Sequence, residues 1–96
     1  MVERTLLIRA PLGLHARAAA KLVRVANDFE SMVSLRRVDG GPAVDAKSIL
    51  SVLMLAAKRG TALQVSVDGV DEDLAIAAIE RVFADGFGEL KPESAL

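Results

Sequence analysis

His15 is the only group in this chain able to act as a nucleophile near neutral pH without an auxiliary base. There is one histidine and no cysteine, which excludes a thiolate nucleophile, a disulfide framework, a cysteine metal site and any site needing two imidazoles. His15 follows the flexible Gly13 and precedes a helical segment with Arg17 in its opening turn and Lys21 one turn later. Helix N-termini carry partial positive charge, so a cation there costs roughly a few tenths of a kcal/mol at an exposed site. Free backbone N–H groups, a guanidinium and an imidazole converging on one spot describe an anion site. The helix terminus and Arg17 both disfavour the imidazolium, leaving a neutral nitrogen with a free lone pair. Capture of a phosphoryl group is the chemistry such a nitrogen can do, drawn in by the same charges. A plainer description also fits these residues, a solvated basic face with a capping histidine.

Ser48 is a second residue of interest, because it stands at the start of an apolar segment, where a hydroxyl caps and a phosphate is stabilised. That segment, about Lys47 to Lys58, is apolar nearly all round. Val52 and Leu55 fit core positions, which leaves Ile49, Leu50, Leu53 or Met54 near the surface. Exposed aliphatics with a flexible Met suit a surface that fits more than one partner; a fully buried helix is the alternative.

Three segments alternate with period two and are expected as strands: Val2 to Arg9, Met32 to Arg36, and Leu63 to Asp68. In the first, Val2, Leu6 and Ile8 share a face that Arg4 interrupts. Asp39-Gly40-Gly41 is a hairpin-type turn, with a short strand expected over Pro42 to Val44. Helices are expected from Ala16 to Asp28, with Ala19, Leu22, Val23 and Ala26 inward, and from about Asp71 to Ala84. In the last, Ala75, Ile76, Ile79, Val82 and Phe83 face inward, and Gly86-Phe87-Gly88 stops it. The order is β-α-β-β-α-β-α, with one polar face per strand, as in an antiparallel sheet covered on a single side.

The length of 96 residues fits one domain, expected over 1–88 with a short tail over 89–96. Hydrophobic residues make up 52% and aromatics only 3%, so Ala, Leu, Val and Ile must build the core. With 12 Lys+Arg against 13 Asp+Glu, the net charge of −1 argues against non-specific nucleic-acid binding. The start, Met1-Val2-Glu3-Arg4-Thr5, lacks a signal-peptide pattern, and Ser48 to Ala57 is too short to cross a bilayer. A soluble cytoplasmic protein is the expectation.

Pro11-Leu12-Gly13-Leu14-His15-Ala16-Arg17-Ala18-Ala19-Ala20 resembles the active-site segment of the phosphocarrier protein HPr family of the bacterial phosphoenolpyruvate-dependent sugar phosphotransferase system. Ala46-Lys47-Ser48-Ile49-Leu50-Ser51-Val52-Leu53 resembles the regulatory-serine helix of that family, and the likeness runs from about Val2 to Gly88. It implies an α+β fold, an open-faced β-sandwich with four antiparallel strands and three helices on one face. It implies phosphorylation of His15 on Nδ1 by enzyme I, steadying of the phosphoryl group by Arg17, and delivery to a histidine of an EIIA-type domain. It also implies modification of Ser48 by an ATP-dependent HPr kinase/phosphorylase. Docking is then expected through Lys21, Arg24, Lys47, Ile49, Leu50 and Leu53. No cofactor or metal, no membrane insertion and a monomeric carrier complete the expectation.

The chain departs from the family pattern at Ala18, where Pro is frequent, and at Leu12, where a small polar residue is frequent. The Arg36 to Val44 hairpin is about two residues longer than usual. Two rivals stand beside the resemblance. An RNA-binding βαβ module would need exposed aromatics on its strands, and Phe29, Phe83 and Phe87 lie elsewhere. A phosphatase-like hydrolase would need a base or second polar group near His15, and none is evident. A nitrogen-branch phosphocarrier stays open within the family.

Overall fold

A computed structural model describes residues 1–90; the expected tail lies, past Leu90, outside the described residues. Four strands form one sheet: β1 (Val2–Leu7), β2 (Met32–Arg37), β3 (Val44–Asp45) and β4 (Ala62–Asp68). Three helices alternate with them, α1 (Ala16–Asn27), α2 (Ile49–Met54) and α3 (Glu72–Ala84), and a 3₁₀ turn (Gly86–Gly88) follows. The sheet order is β1-β4-β2-β3 and every neighbouring pair is antiparallel. Period-two patterning decides which face is covered. Leu63, Val65 and Val67 of β4 are buried together with Val33 and Leu35 of β2. Ala19, Leu22 and Ala26 of α1, Val52 of α2 and Ala75, Ile79 and Phe83 of α3 join them in one core. The opposite face is mostly polar, with Arg36 bonded to Gln64 and Ser66 to Glu3, and leaves Met32 and Leu7 exposed at its ends. This is the open-faced sandwich the sequence implies.

Arg4, which breaks the inward row of β1, sits opposite Val65. It is tolerated because β1 is an edge strand, and Arg4 Nε reaches Glu80 Oε1 of α3 at 3.4 Å. On α1 the stripe is broader than expected: Ala18 is fully buried, whereas Val23 is only half-buried.

The bounds of α1, β2 and β4 differ from the sequence expectation by a single residue, and those of three other elements differ by more. β1 ends at Leu7, although Ile8 still exchanges backbone bonds with Thr61 and Gly60. β3 is Val44–Asp45, because Pro42 has no N–H for the ladder. The larger change is in α2, which stops at Met54. Ala56 adopts a left-handed φ of 50°, which no propensity of alanine favours. Tertiary bonds enforce it: Arg37 Nη1 takes the carbonyls of Leu55 at 3.0 Å and Ala56 at 3.3 Å, and the Ala57 carbonyl accepts from Leu14 N–H at 2.8 Å.

Candidate functional site

The segment after β1 must turn sharply to start α1, and Gly13 allows it with φ of 73°. Its N–H closes onto the Ala10 carbonyl at 2.9 Å, and a Cβ there would lie 2.7 Å from the Ala57 carbonyl oxygen. The early end of α2 and the turn at Gly13 therefore work together. The backbone of Ala57 and Lys58 forms the wall on which Leu14, and with it His15, is set.

His15 is the N-cap of α1, extended at φ −79° and ψ −177°, and its carbonyl accepts from Ala19 N–H at 2.8 Å. Its side chain makes no capping bond, and no acidic residue stands in the first turn. The first-turn N–H groups, which have no intrahelical acceptor, therefore keep their donor capacity and positive potential. The ring is 31% exposed. Its Nε2 lies 2.6 Å from Oε2 of Glu89. A carboxylate only accepts, so Nε2 carries the proton and, in the neutral ring, Nδ1 carries the lone pair.

Arg17 and Lys21, both exposed, line an open basin of about 380 Å³ with Pro11, Leu12, Gly88, Glu89 and Leu90. Lys21 Nζ passes so close to Gly88 that a Cβ there would collide with it. Arg24 lies further along α1 in an adjoining hollow with Lys21, Val82 and Phe87. His15, Arg17 and Lys21 are thus brought to one end of α1.

The second candidate cluster is built separately. Ser48 is the N-cap of α2, with its Oγ accepting from Ser51 N–H at 3.4 Å. Lys47 is turned partly inward, its ammonium donating to the Phe29 carbonyl at 2.8 Å. Leu50 and Met54 are 72% and 80% exposed, Ile49 is exposed and Leu53 half-buried, so this short helix leaves an apolar outer face. Leu12, in the loop before His15, adds another exposed aliphatic.

Glu89 is the site residue that sequence reasoning missed. The expectation of no second polar group near His15 is corrected by its carboxylate. No local signal marks it, since it stands after the helix stop, 74 residues from its partner. It does not turn the site into that of a hydrolase: one oxygen holds the ring and the other is buried. Among the described residues no group of His, Asp or Glu could hold a metal ion, and no helix is long and apolar enough to cross a membrane.

A one-layer sheet carries a helix whose N-cap is a histidine and whose first turn has no acidic residue, the kind of terminus that receives an anion. The chain belongs to the family described as the PTS HPr component phosphorylation site, which it matches over residues 2–85. It is 44% identical over 89 residues to the phosphocarrier protein HPr of Xylella fastidiosa, covering 93% of this chain and 98% of that one. It is 41% identical over 86 residues to the phosphocarrier protein NPr of Proteus mirabilis, covering 90% and 94%. Among solved structures, HPr from Thermoanaerobacter tengcongensis superposes with a TM-score of 0.87 at 35% identity, over 95% of this chain and all of that one. A phosphocarrier role in the phosphotransferase system follows from membership.

Proposed function

We propose that His15 takes a phosphoryl group on Nδ1 from phospho-enzyme I, itself charged by phosphoenolpyruvate, and passes it to a histidine of an EIIA-type receiver. The observation that carries this reading is the division of the ring: Nε2 is held by Glu89, and the remaining nitrogen belongs to a part-exposed imidazole at an uncapped helix terminus. Arg17 steadies the phosphoryl oxygens, with Lys21 beside it on the wall of the same basin. Phosphoryl transfer is mostly positioning and charge neutralisation, so a domain that presents one nucleophile and an anion cradle suffices. The chain acts as a covalent carrier between two proteins and turns over no small substrate of its own.

The exposed outer face of α2, with Ile49, Leu50 and Leu53, forms the docking surface together with Arg24 and Lys47. Complementary charge on acidic partners speeds encounter, and a small interface allows fast release. Ser48 is the site for HPr kinase/phosphorylase, and a phosphate there weakens docking by placing charge on that surface. The carrier is a cytoplasmic monomer that binds no nucleic acid. The absence of aromatic residues from the four strands supports the last point.

Incubation with phosphoenolpyruvate and enzyme I, followed by intact mass measurement, tests the reading. One acid-labile, alkali-stable phosphate is expected, and none on His15→Ala. No mass gain with an active enzyme I overturns it. Which receiver discharges the phosphoprotein separates a sugar-branch from a nitrogen-branch carrier.

A further inference from the structure

Three successive residues with positive φ, Gly86 at 58°, Phe87 at 56° and Gly88 at 78°, reverse the chain after α3. A left-handed non-glycine residue is strained and persists only where its surroundings hold it. Phe87 is held by burial, at 1% exposure, and by Phe83, whose ring centroid lies 5.0 Å away at an interplanar angle of 59°. The strap delivers Glu89 to the ring of His15, with Oε2 on Nε2 and Oε1 buried and without a partner among the described residues. A left-handed Phe and a buried carboxylate each carry a cost, which the packing of Phe87 on Phe83 and the bond from His15 to Glu89 offset. What the strap brings into place is a carboxylate on the ring of the one histidine.

We propose that Glu89 is a positioning residue for phosphoryl transfer, holding His15 in the Nε2–H tautomer and facing the charge the ring gains as Nδ1 takes the phosphoryl group. This rests on the reading of His15 as the acceptor. In the step, the Nδ1 lone pair forms the new N–P bond. The P–N bond of the donor phosphohistidine breaks, and its electron pair returns to the donor imidazole. No proton leaves His15. Nε2–H stays in place, and the ring, bonded to phosphorus at Nδ1, becomes a cation that Glu89 meets through a charge-assisted hydrogen bond. Arg17 and Lys21 serve the anionic end of the adduct and Glu89 the cationic end. A carboxylate orients the imidazole of hydrolase triads by the same logic.

The test uses the full chain with Glu89→Gln, which removes the charge at similar shape, and Glu89→Ala, which removes the acceptor. Nitrogen-15 spectra of the His15 ring are expected to show a protonated Nε2 and a bare Nδ1 in the parent chain, with Nδ1–H signal growing in Glu89→Ala. With enzyme I as the phosphoryl donor, both variants are expected to lose about tenfold or more in kcat at unchanged KM, the scale of a hydrogen bond to a charged group. Unchanged ring signals and unchanged kcat overturn the proposal, including where thermal stability falls. A parent chain that gains no phosphate instead overturns the reading of His15, a separate and recognisable failure.

Discussion

Replacing Gly13 by alanine attacks the wall on which His15 is set, and the structure allows its effect to be worked out. The residue has φ of 73°, so an alanine carries the left-handed penalty of about 1–2 kcal/mol. Its Cβ would also lie 2.7 Å from the Ala57 carbonyl oxygen and 3.0 Å from Lys58 Cα, which are backbone atoms that no rotamer change can move. Relief requires the two segments to part, which weakens the 2.8 Å bond from Leu14 N–H to that same carbonyl and removes about 1 kcal/mol more. The sum is about 2–3 kcal/mol, which in a domain of this size lowers Tm by about 10–20 °C. Gly60→Ala is the control: it has φ of 89° but nothing within 4 Å of the added Cβ, so it carries the backbone penalty alone. Urea denaturation of the two variants, with m unchanged, isolates the contact contribution as a difference of about 1 kcal/mol. Because the displaced backbone leads directly into His15, the initial rate of phosphorylation by enzyme I should fall about tenfold or more in Gly13→Ala and stay near normal in Gly60→Ala. Equal unfolding midpoints for the two variants, together with equal transfer rates, would refute the idea that the Ala57 wall positions the nucleophile.

Arg17→Glu should leave stability within about 0.5 kcal/mol, since the side chain is exposed, yet slow phosphoryl transfer strongly; stopped transfer assays beside a melting curve check both halves. Ser48→Ala should abolish the acid-stable phosphate added by ATP and HPr kinase, seen by intact mass. Its loss of capping should cost at most about 1 kcal/mol, because the bond to Ser51 N–H is long at 3.4 Å. The Asp71 carboxyl is held below its usual value, first by the Ser31 hydroxyl and then by the Glu30 and Ser31 amides. A depressed folded value means that this stabilisation is present above the unfolded carboxylate range and is lost as pH falls through the folded one. Asp71→Asn should therefore flatten the acid limb of stability below about pH 4, and an identical acid limb in both proteins would contradict the assignment.

Local physics made much of this molecule legible in one dimension. Alternation in Leu63-Gln64-Val65-Ser66-Val67 specified a half-buried strand, because side chains on a pleat alternate faces whatever they meet. The reversed charge pattern after His15 marked that helix start as unusual, because a helix dipole acts within a single turn. The lone histidine narrowed the chemistry by elimination. Tertiary structure decided what depends on residues distant in the chain. The apolar run after Ser48 reads as a longer helix, yet Arg37 from β2 and Leu14 from the loop before α1 claim carbonyls at its end. No propensity contains that competition. Glu89 reads as the beginning of a tail, and only the packing of Phe87 on Phe83 carries its carboxylate to the ring of His15. The sequence by itself singled out one histidine and the elements that could hold it. The tertiary structure decided which of that histidine's ring nitrogens is held and by what, because hydrogen bonds between distant segments form only after the core has set their separation.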